Sequence, residues 1–231
     1  MFDFIRKPFL WKAFDEELDR EIGKTKQFHL KSVQDLAVYD MLKGERGKTI
    51  AEIGGGDSRL LAKLSKDNRC FNIDKFEGAD GGPAKVIRIR GVTNVQTFLG
   101  ERSPLLNADQ FDIVFSISVI EHVPTAALGD FLEDGLRILK SGGLWLHAID
   151  FYLDDAPDAG VAARFEKYRT WLSHPMLEPL GAVYDGPPRF TCDMATNPDN
   201  VMHGWGKIAP KLIELRQKAQ SVSLLLGARK K

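Results

Sequence analysis

Apolar positions along this chain repeat with two different spacings, and the two take turns. Leu30, Val33, Leu36, Ala37, Val38, Met41 and Leu42 recur every three or four residues, which predicts a helix over 30–43 closed by Gly44 and Gly47. "TIAEI" (49–53) is a short apolar run and predicts a strand; Gly54, Gly55 and Gly56 follow it. "SRLLAKLSK" (58–66) predicts a helix that Asp57 or Ser58 caps. "CFNID" (70–74) reads as a second buried strand, and "EGADGGP" (77–83) as a loop. A third strand falls in "VIRI" (86–89) or "NVQTFLG" (94–100). "FDIVFSISVIE" (111–121) is the strongest strand pattern in the chain. In "ALGDFLEDGLRILK" (127–140), Leu128, Phe131, Leu132, Leu136 and Leu139 share one helix face; "SGG" (141–143) ends it before the strand "LWLHAID" (144–150). Such alternation predicts an α/β fold, a doubly wound and mainly parallel sheet with helices on both faces.

Outside this region the pattern loosens. Helices are expected at 9–22, 158–173 and 206–220, the last with Pro210 in its first turn. "FTCDM" (190–194) and "SVSLLLGARK" (221–230) read as strands. No repeat, low-complexity stretch or linker divides the chain, so one domain is expected over 1–231. Its parts are an N-terminal helical cap (1–47), a core (48–151) and closing helices and strands (152–231). In the cap, Phe2, Phe4, Ile5, Phe9, Leu10, Trp11 and Phe14 interleave with Arg6, Lys7 and Lys12, as on a membrane-surface helix. Pro8 and the acids that follow favour a segment that folds over its own domain or meets a second copy in a homodimer.

Composition narrows the classes. Lys plus Arg and Asp plus Glu number 32 each, so no general polyanion-binding charge exists. Cys70 and Cys192 stand far apart and belong to no metal-ligand cluster. No apolar run reaches the roughly 18 residues that span a bilayer. The N-terminus lacks a signal-peptide pattern, and the expected compartment is the cytoplasm.

Chemistry concentrates at the glycines. A glycine turn between a first strand and its helix puts ligand at the carboxyl edge of the sheet. A dinucleotide needs G-x-G-x-x-G, but the third glycine position here is Arg59, and Asp57 stands where a pyrophosphate would come close. Glu52, Gly54 and Gly56 instead form acid-x-Gly-x-Gly. With this pattern the chain resembles the class I S-adenosylmethionine-dependent methyltransferases, of the methyltransferase type 11 kind. That resemblance implies a seven-stranded sheet with an antiparallel last strand, and S-adenosyl-L-methionine as cofactor. It places Glu52 near the cofactor's ammonium group and Gly54, Gly55 and Gly56 against its amino-acid end. Asp74, ending the second strand, would accept both ribose hydroxyls, which suits a carboxylate with two oxygens. Gly100 and Glu101 sit like the family's pair at the adenine amine, with Glu in place of Asp. Ser116 to Ser118, in "FDIVFSISVIEHVP", would flank the methionine part.

Methyl transfer is an in-line displacement, and a hydroxyl or amine acceptor gives up a proton. The candidate bases at the carboxyl edge are His122, His147 and Asp150. His147 and Asp150, three apart on a strand, point to opposite faces. Asp150, Asp154 and Asp155 could gather a cation, but a solvated acidic loop is the preferred reading. The family's E-x-x-E-H metal motif would need Glu where this chain has Ser118, so no metal is expected. Aromatic, Asn, Asp and His residues in "TWLSHPMLEPLG" and "CDMATNPDNVMHGW" suit a sugar or another small hydroxylated acceptor. An O-methyltransferase acting on a saccharide or small-molecule hydroxyl is the leading expectation. The alternatives are a small-molecule N-methyltransferase and a non-catalytic scaffold with the same fold. Nucleic acid is not an expected partner, because no N/D-P-P-Y-type tetrapeptide follows the fourth strand. Stable membrane insertion is not expected either.

Overall fold

The structure, a computed structural model, describes residues 1–23, 30–78, 82–154, 159–187 and 219–231. Its elements, in chain order, begin with β1 (Phe2–Phe4), α1 (Lys7–Asp15), α2 (Leu18–Glu21) and α3 (Leu30–Leu42). Next come β2 (Thr49–Ile53), α4 (Arg59–Leu64), β3 (Arg69–Asp74), β4 (Val92–Gln96) and β5 (Phe111–Ile117). Then follow α5 (Leu128–Ile138), β6 (Leu139–Asp154), α6 (Ala159–Trp171), β7 (Leu177–Pro179) and β8 (Ala219–Lys230). The strands form one sheet in the order β1-β8-β6-β5-β2-β3-β4, with β7 also paired to β8. From β6 through β4 the pairs are parallel, and β8 runs antiparallel to β6.

Alternation along the strands divides the core. Ile50, Ile113, Phe115, Leu146 and Ala148 pack with residues of α2, α3 and α4 on one face. Ala51, Ile73, Val114, Trp145 and Ile149 pack with residues of α5 and α6 on the other. The doubly wound expectation holds, and so does the antiparallel last strand.

The sheet has eight described strands rather than seven, because two short ones share the outer edge of β8. β7 pairs with its last residues, Ala228 to Lys230, and β1 with Leu224 to Leu226. The N-terminal cap is therefore not wholly helical. Phe2, Phe4 and Ile5 are buried in the chain's own core, with the Phe2 and Phe165 rings 5.0 Å apart. Trp11 stays 66% exposed. The single helix expected over 9–22 is two, broken at Glu17, whose φ of 54° is left-handed. The "SGG" turn lies inside β6 as a register shift: Phe111 pairs with Leu139, and Ile113 with Leu144. "FTCDM" and most of the expected 206–220 helix lie outside the described residues.

α5 crosses the sheet closely at Gly135, where a Cβ would enter the Trp145 ring. Alanine normally favours a helix interior over glycine by about 1 kcal/mol. Here overpacking outweighs that gain, and Gly135→Ala should lose roughly 1–3 kcal/mol of stability. Urea denaturation checks this; a midpoint equal to or above the parent's would refute the close crossing.

Candidate active site

Parallel strands β3, β2 and β5 end at a common edge beside β6, which runs on past it to Asp154, and polar residues at and just after the strand ends gather there. Gly54 donates its amide to Ile73 O at 2.7 Å, so the turn after β2 leans on β3. Gly54 and Gly56 have φ of +64° and +53°, which favour glycine. The glycines serve the protein's own packing as well. A Cβ at Gly54 would stand 2.6 Å from Val119 Cγ2, and one at Gly55 would stand 2.8 Å from Asn72 Oδ1 and 3.0 Å from Glu52 Cδ. Ser58 caps α4, its Oγ accepting from the Leu61 amide at 3.0 Å, and its hydroxyl also bonds the Glu52 carboxyl.

Glu52 consequently lies beneath the glycine turn, 4% exposed. Burial pushes its pKa up to about 8, against the opposing bond from Ser58. Asp74 lies beside the turn, half-buried. Its Oδ2 accepts from the Gly56 amide at 3.1 Å and its Oδ1 from the Phe76 amide at 2.8 Å. Each oxygen keeps further acceptor capacity. Arg59, the first residue of α4, pairs with the mostly buried Asp35 of α3. Glu101 is exposed in a turn after β4. The flanking amides of Gly100 and Arg102 both donate to Asp134 Oδ2, at 2.8 and 3.0 Å. Asp134 of α5, fully buried, is thus the residue that fixes this turn, and the sequence reading passed over it.

Beyond the turn, the expected bases separate. His147 is fully buried on the face of Trp145, with ring centroids 4.1 Å apart. Its Nδ1 bonds Ser116 Oγ at 2.7 Å, and burial lowers its pKa to about 3. It is a neutral, fully buried core residue, which disfavours the base role expected of it. The hydroxyl of Ser116, equally buried, is that histidine's partner. His122 is 46% exposed on a short 3-10 turn (Ile120–His122), with Nε2 4.0 Å from Glu121 Oε1.

Asp150 points to the opposite face from His147, as expected, and reaches the edge. Its Oδ1 accepts from Gln34 Nε2 at 2.7 Å, and the Ser118 hydroxyl lies 2.9 Å away. Ser118, at φ 52°, is also 2.7 Å from Gln34 Oε1. Gln34 is fully buried in α3 and locks this triad. Beside it stands Glu121, whose two carboxyl oxygens are buried and have no hydrogen-bond partner. Burial first, then the charge of Asp150, pushes its pKa up to about 8. The amides of Glu121 and Asp150 and the Arg164 guanidinium oppose that shift, the amides from outside hydrogen-bonding geometry. The sequence reading fixed on His122 and missed its neighbour; "EHVP" carried Glu121 in plain view, but no period marks a residue after a strand as buried.

Trp171, expected beside a sugar, is 3% exposed and stacks on Phe131 in the core. "CDMATNPDNVMHGW" lies outside the described residues. Among the described residues no cluster of three or more His, Cys, Asp or Glu could hold a metal ion. No described helix is long and apolar enough to cross a membrane. A cavity of about 190 Å³ lined by Lys48, Asp112, Gly142 and Arg229 lies at the opposite edge of the sheet, away from the glycine turn.

Comparison with known proteins agrees with this geometry. The model of a methyltransferase domain family matches residues 51–146. No curated protein matches the chain in sequence. Among solved structures, geranyl diphosphate C-methyltransferase of Streptomyces coelicolor A3(2) is 18% identical, with a TM-score of 0.58 over 87% of this chain and 78% of that one. A methyltransferase of Listeria monocytogenes assigned to the S-adenosylmethionine-dependent class is 13% identical, with a TM-score of 0.54 over 87% of this chain and 99% of that one. Phosphoethanolamine N-methyltransferase 2 of Haemonchus contortus is 13% identical, with a TM-score of 0.54 over 97% of this chain and 59% of that one. At these identities the structures speak for the fold alone: residues 51–146 match the model of a methyltransferase domain, and the chain has the fold of the class I S-adenosylmethionine-dependent methyltransferases.

Proposed function

We propose that this chain transfers a methyl group from S-adenosyl-L-methionine to the hydroxyl of a small molecule, with Asp150 as the proton acceptor. The observation that carries the cofactor assignment is the glycine turn held between Glu52 beneath it and Asp74 beside it, at the ends of neighbouring parallel strands. Carboxyl groups populate this edge, and they suit a ligand that bears an ammonium and a sulfonium rather than phosphates. Asp74 would bind the ribose hydroxyls, Glu52 would favour the ammonium from below the turn, and Glu101 remains the candidate at the adenine. The cofactor supplies the activated methyl group; the protein orients it and takes the proton.

Asp150 suits the base role because Gln34 and Ser118 hold one of its oxygens, which fixes the carboxylate in place and leaves the second oxygen outside those bonds. His122, exposed nearby, is the secondary candidate. A scaffold with this fold would have no use for buried carboxyls such as Glu52 and Glu121, whose burial opposes folding. The known small acceptors of the structural relatives support a small-molecule substrate, and saccharides belong in the first acceptor screen. A homodimer through the N-terminal segment would have to use Trp11, since Phe2, Phe4 and Ile5 are buried within the chain. The free, buried Cys70 suits a reducing compartment such as the cytoplasm.

Calorimetric titration with S-adenosylhomocysteine tests the cofactor class. Micromolar binding is expected, weakened at least about 10-fold by Asp74→Ala, the scale of a lost charged hydrogen bond. Absence of binding by the folded protein would sink the reading.

The raised pKa of Glu52 gives a second expectation. With its carboxyl titrating at about 8, Glu52 is mostly protonated at neutral pH. A ligand ammonium favours the carboxylate, so the pKa falls on binding and a proton leaves. At neutral pH the apparent binding enthalpy should therefore depend on the ionisation heat of the buffer, and Glu52→Gln should abolish that dependence. Buffer-independent enthalpy in the parent would mean that Glu52 does not face the ligand's charge.

Once an acceptor turns over, Asp150→Asn should lower the rate of S-adenosylhomocysteine formation by about 10²- to 10⁴-fold, the usual contribution of a general base. Cofactor affinity should stay within about 3-fold. An unaffected rate would pass the base role to His122.

A further inference from the structure

The side chain that ties the two halves of the site together is Arg164, on α6. Its Nη2 lies within hydrogen-bonding distance of three backbone carbonyls of the turn after β5 and shares its two hydrogens among them: Ile120 at 2.7 Å, Glu121 at 3.1 Å and Val123 at 2.7 Å. Its Nη1 reaches Thr125 Oγ1 at 3.1 Å, and its Nε reaches the hydroxyl of buried Tyr168 at 2.5 Å. No acidic side chain pairs with it through an ion pair among the described residues; its partners are the carbonyls of one short turn, a hydroxyl on that turn and a hydroxyl on its own helix. A planar guanidinium with five donors can serve so many acceptors at once, and an ammonium cannot reproduce the fork.

That turn has two functional neighbours. Before it, Val119 packs against the glycine turn, 2.6 Å from where a Gly54 Cβ would stand. Within it, Glu121 holds its two unpartnered oxygens out of water beside Asp150. The groups that face Glu121 are Asp150 from β6, Arg164 and Tyr168 from α6, and His122 next in sequence. A buried, unpartnered carboxyl tends to swing towards solvent unless the backbone that carries it is held.

We propose that Arg164 is a positioning residue for methyl transfer: by clamping the carbonyls of residues 120–123 from α6, it keeps the Glu121 carboxyl buried against Asp150 and Val119 seated on the glycine turn. Through Glu121, the clamp sets the electrostatic surroundings of the proton-accepting carboxylate. This consequence rests on the methyltransferase reading, while the clamp itself is measurable without an acceptor.

The deciding feature is a difference of sign. As a bare positive charge, Arg164 favours the Glu121 anion, so removing it would raise the carboxyl's pKa further. As a clamp, it maintains the burial that does the raising, so removing it would let the pKa fall towards the ordinary glutamate range. The carboxyl ¹³C resonance of Glu121, assigned with Glu121→Gln, is followed across roughly pH 5 to 10. Arg164→Lys keeps the charge and loses the fork; the expected result is a titration lower than the parent's by about one unit or more. Arg164→Gln should also lower it, despite the lost charge. Amide hydrogen exchange over residues 120–125 should speed up at least about 10-fold in both variants. An unmoved titration or unchanged exchange in Arg164→Lys, or a rise in Arg164→Gln, would overturn the clamp. Should Arg164→Gln fail to fold, Arg164→Lys decides alone. A parallel titration with S-adenosylhomocysteine separates the two ideas: lost binding in the parent sinks the methyltransferase reading, whereas intact binding with an unmoved Glu121 sinks only this one.

Discussion

Everything at the candidate site depends on parallel pairing that stops β3, β2 and β5 at one edge while β6 runs on beside them. Register fixes the alignment: Ile53 lies opposite Ile73 and Ser116, and Ser116 lies opposite His147. A strand of period two then has one choice at each residue, one face or the other. Given that register, His147 goes to the face of Trp145, and Asp150, three residues on, goes to the face of Gln34. A one-residue slip of β6 would exchange their faces, turning the histidine to the side of Gln34 and the carboxylate to the side of Trp145. The long antiparallel pairing of β8 with β6, from Leu144 opposite Arg229 to Asp154 opposite Ala219, resists that slip. The short strand β1 then braces β8 from outside, burying Phe2 and Phe4 against Phe165.

Burial at this edge works against stability, and the site has the form of a compromise between folding and function. Glu52 and Glu121 both titrate at about 8 in the fold, well above an exposed glutamate. A carboxyl whose folded pKa is raised contributes stability that is full below its unfolded pKa, about 4.5, and is lost as pH rises through the folded value. Between those limits each residue makes the folded chain progressively less stable. Asp40 and Asp112 act in the other direction, because lysines and, for Asp112, the Thr49 amide hold their pKa values down against burial. Two acids held at such a cost, one under a glycine turn and one beside a pinned aspartate, are hard to account for as architecture. They make sense where positive charge arrives with a ligand.

Much of this was legible in the sequence, because it rests on local rules. The alternation of periods gave the doubly wound sheet, the acid-x-Gly-x-Gly run gave the turn, and the three-residue spacing separated His147 from Asp150. What was hidden depends on partners far apart in the chain. Nothing near Phe2 announces that it will pair with Leu226, and a three-residue strand is too short to show a period. Gln34 reads as one polar position in a helical pattern until α3 is laid across the ends of β5 and β6. Asp134 and Arg164 look like ordinary charges on amphipathic helices. Their importance is that each turns inward to satisfy backbone groups of a turn, amides in one case and carbonyls in the other.

Those two residues show how the helices of one face serve the edge they flank. A turn that follows a buried strand leaves peptide groups without strand partners, and leaving them unpaired away from water is costly. α5 supplies an anion, Asp134, to the amides of the turn carrying Glu101; α6 supplies a cation, Arg164, to the carbonyls of the turn carrying Glu121. In each case a charged side chain meets backbone groups of complementary polarity and fixes a loop without a rigid element inside it. Loops built this way carry functional side chains at defined places while staying free to vary in sequence at the tips. The same logic explains why exposed Glu101 and buried Glu121 occupy equivalent kinds of turn: the anchoring, not the exposure, is what the two positions share.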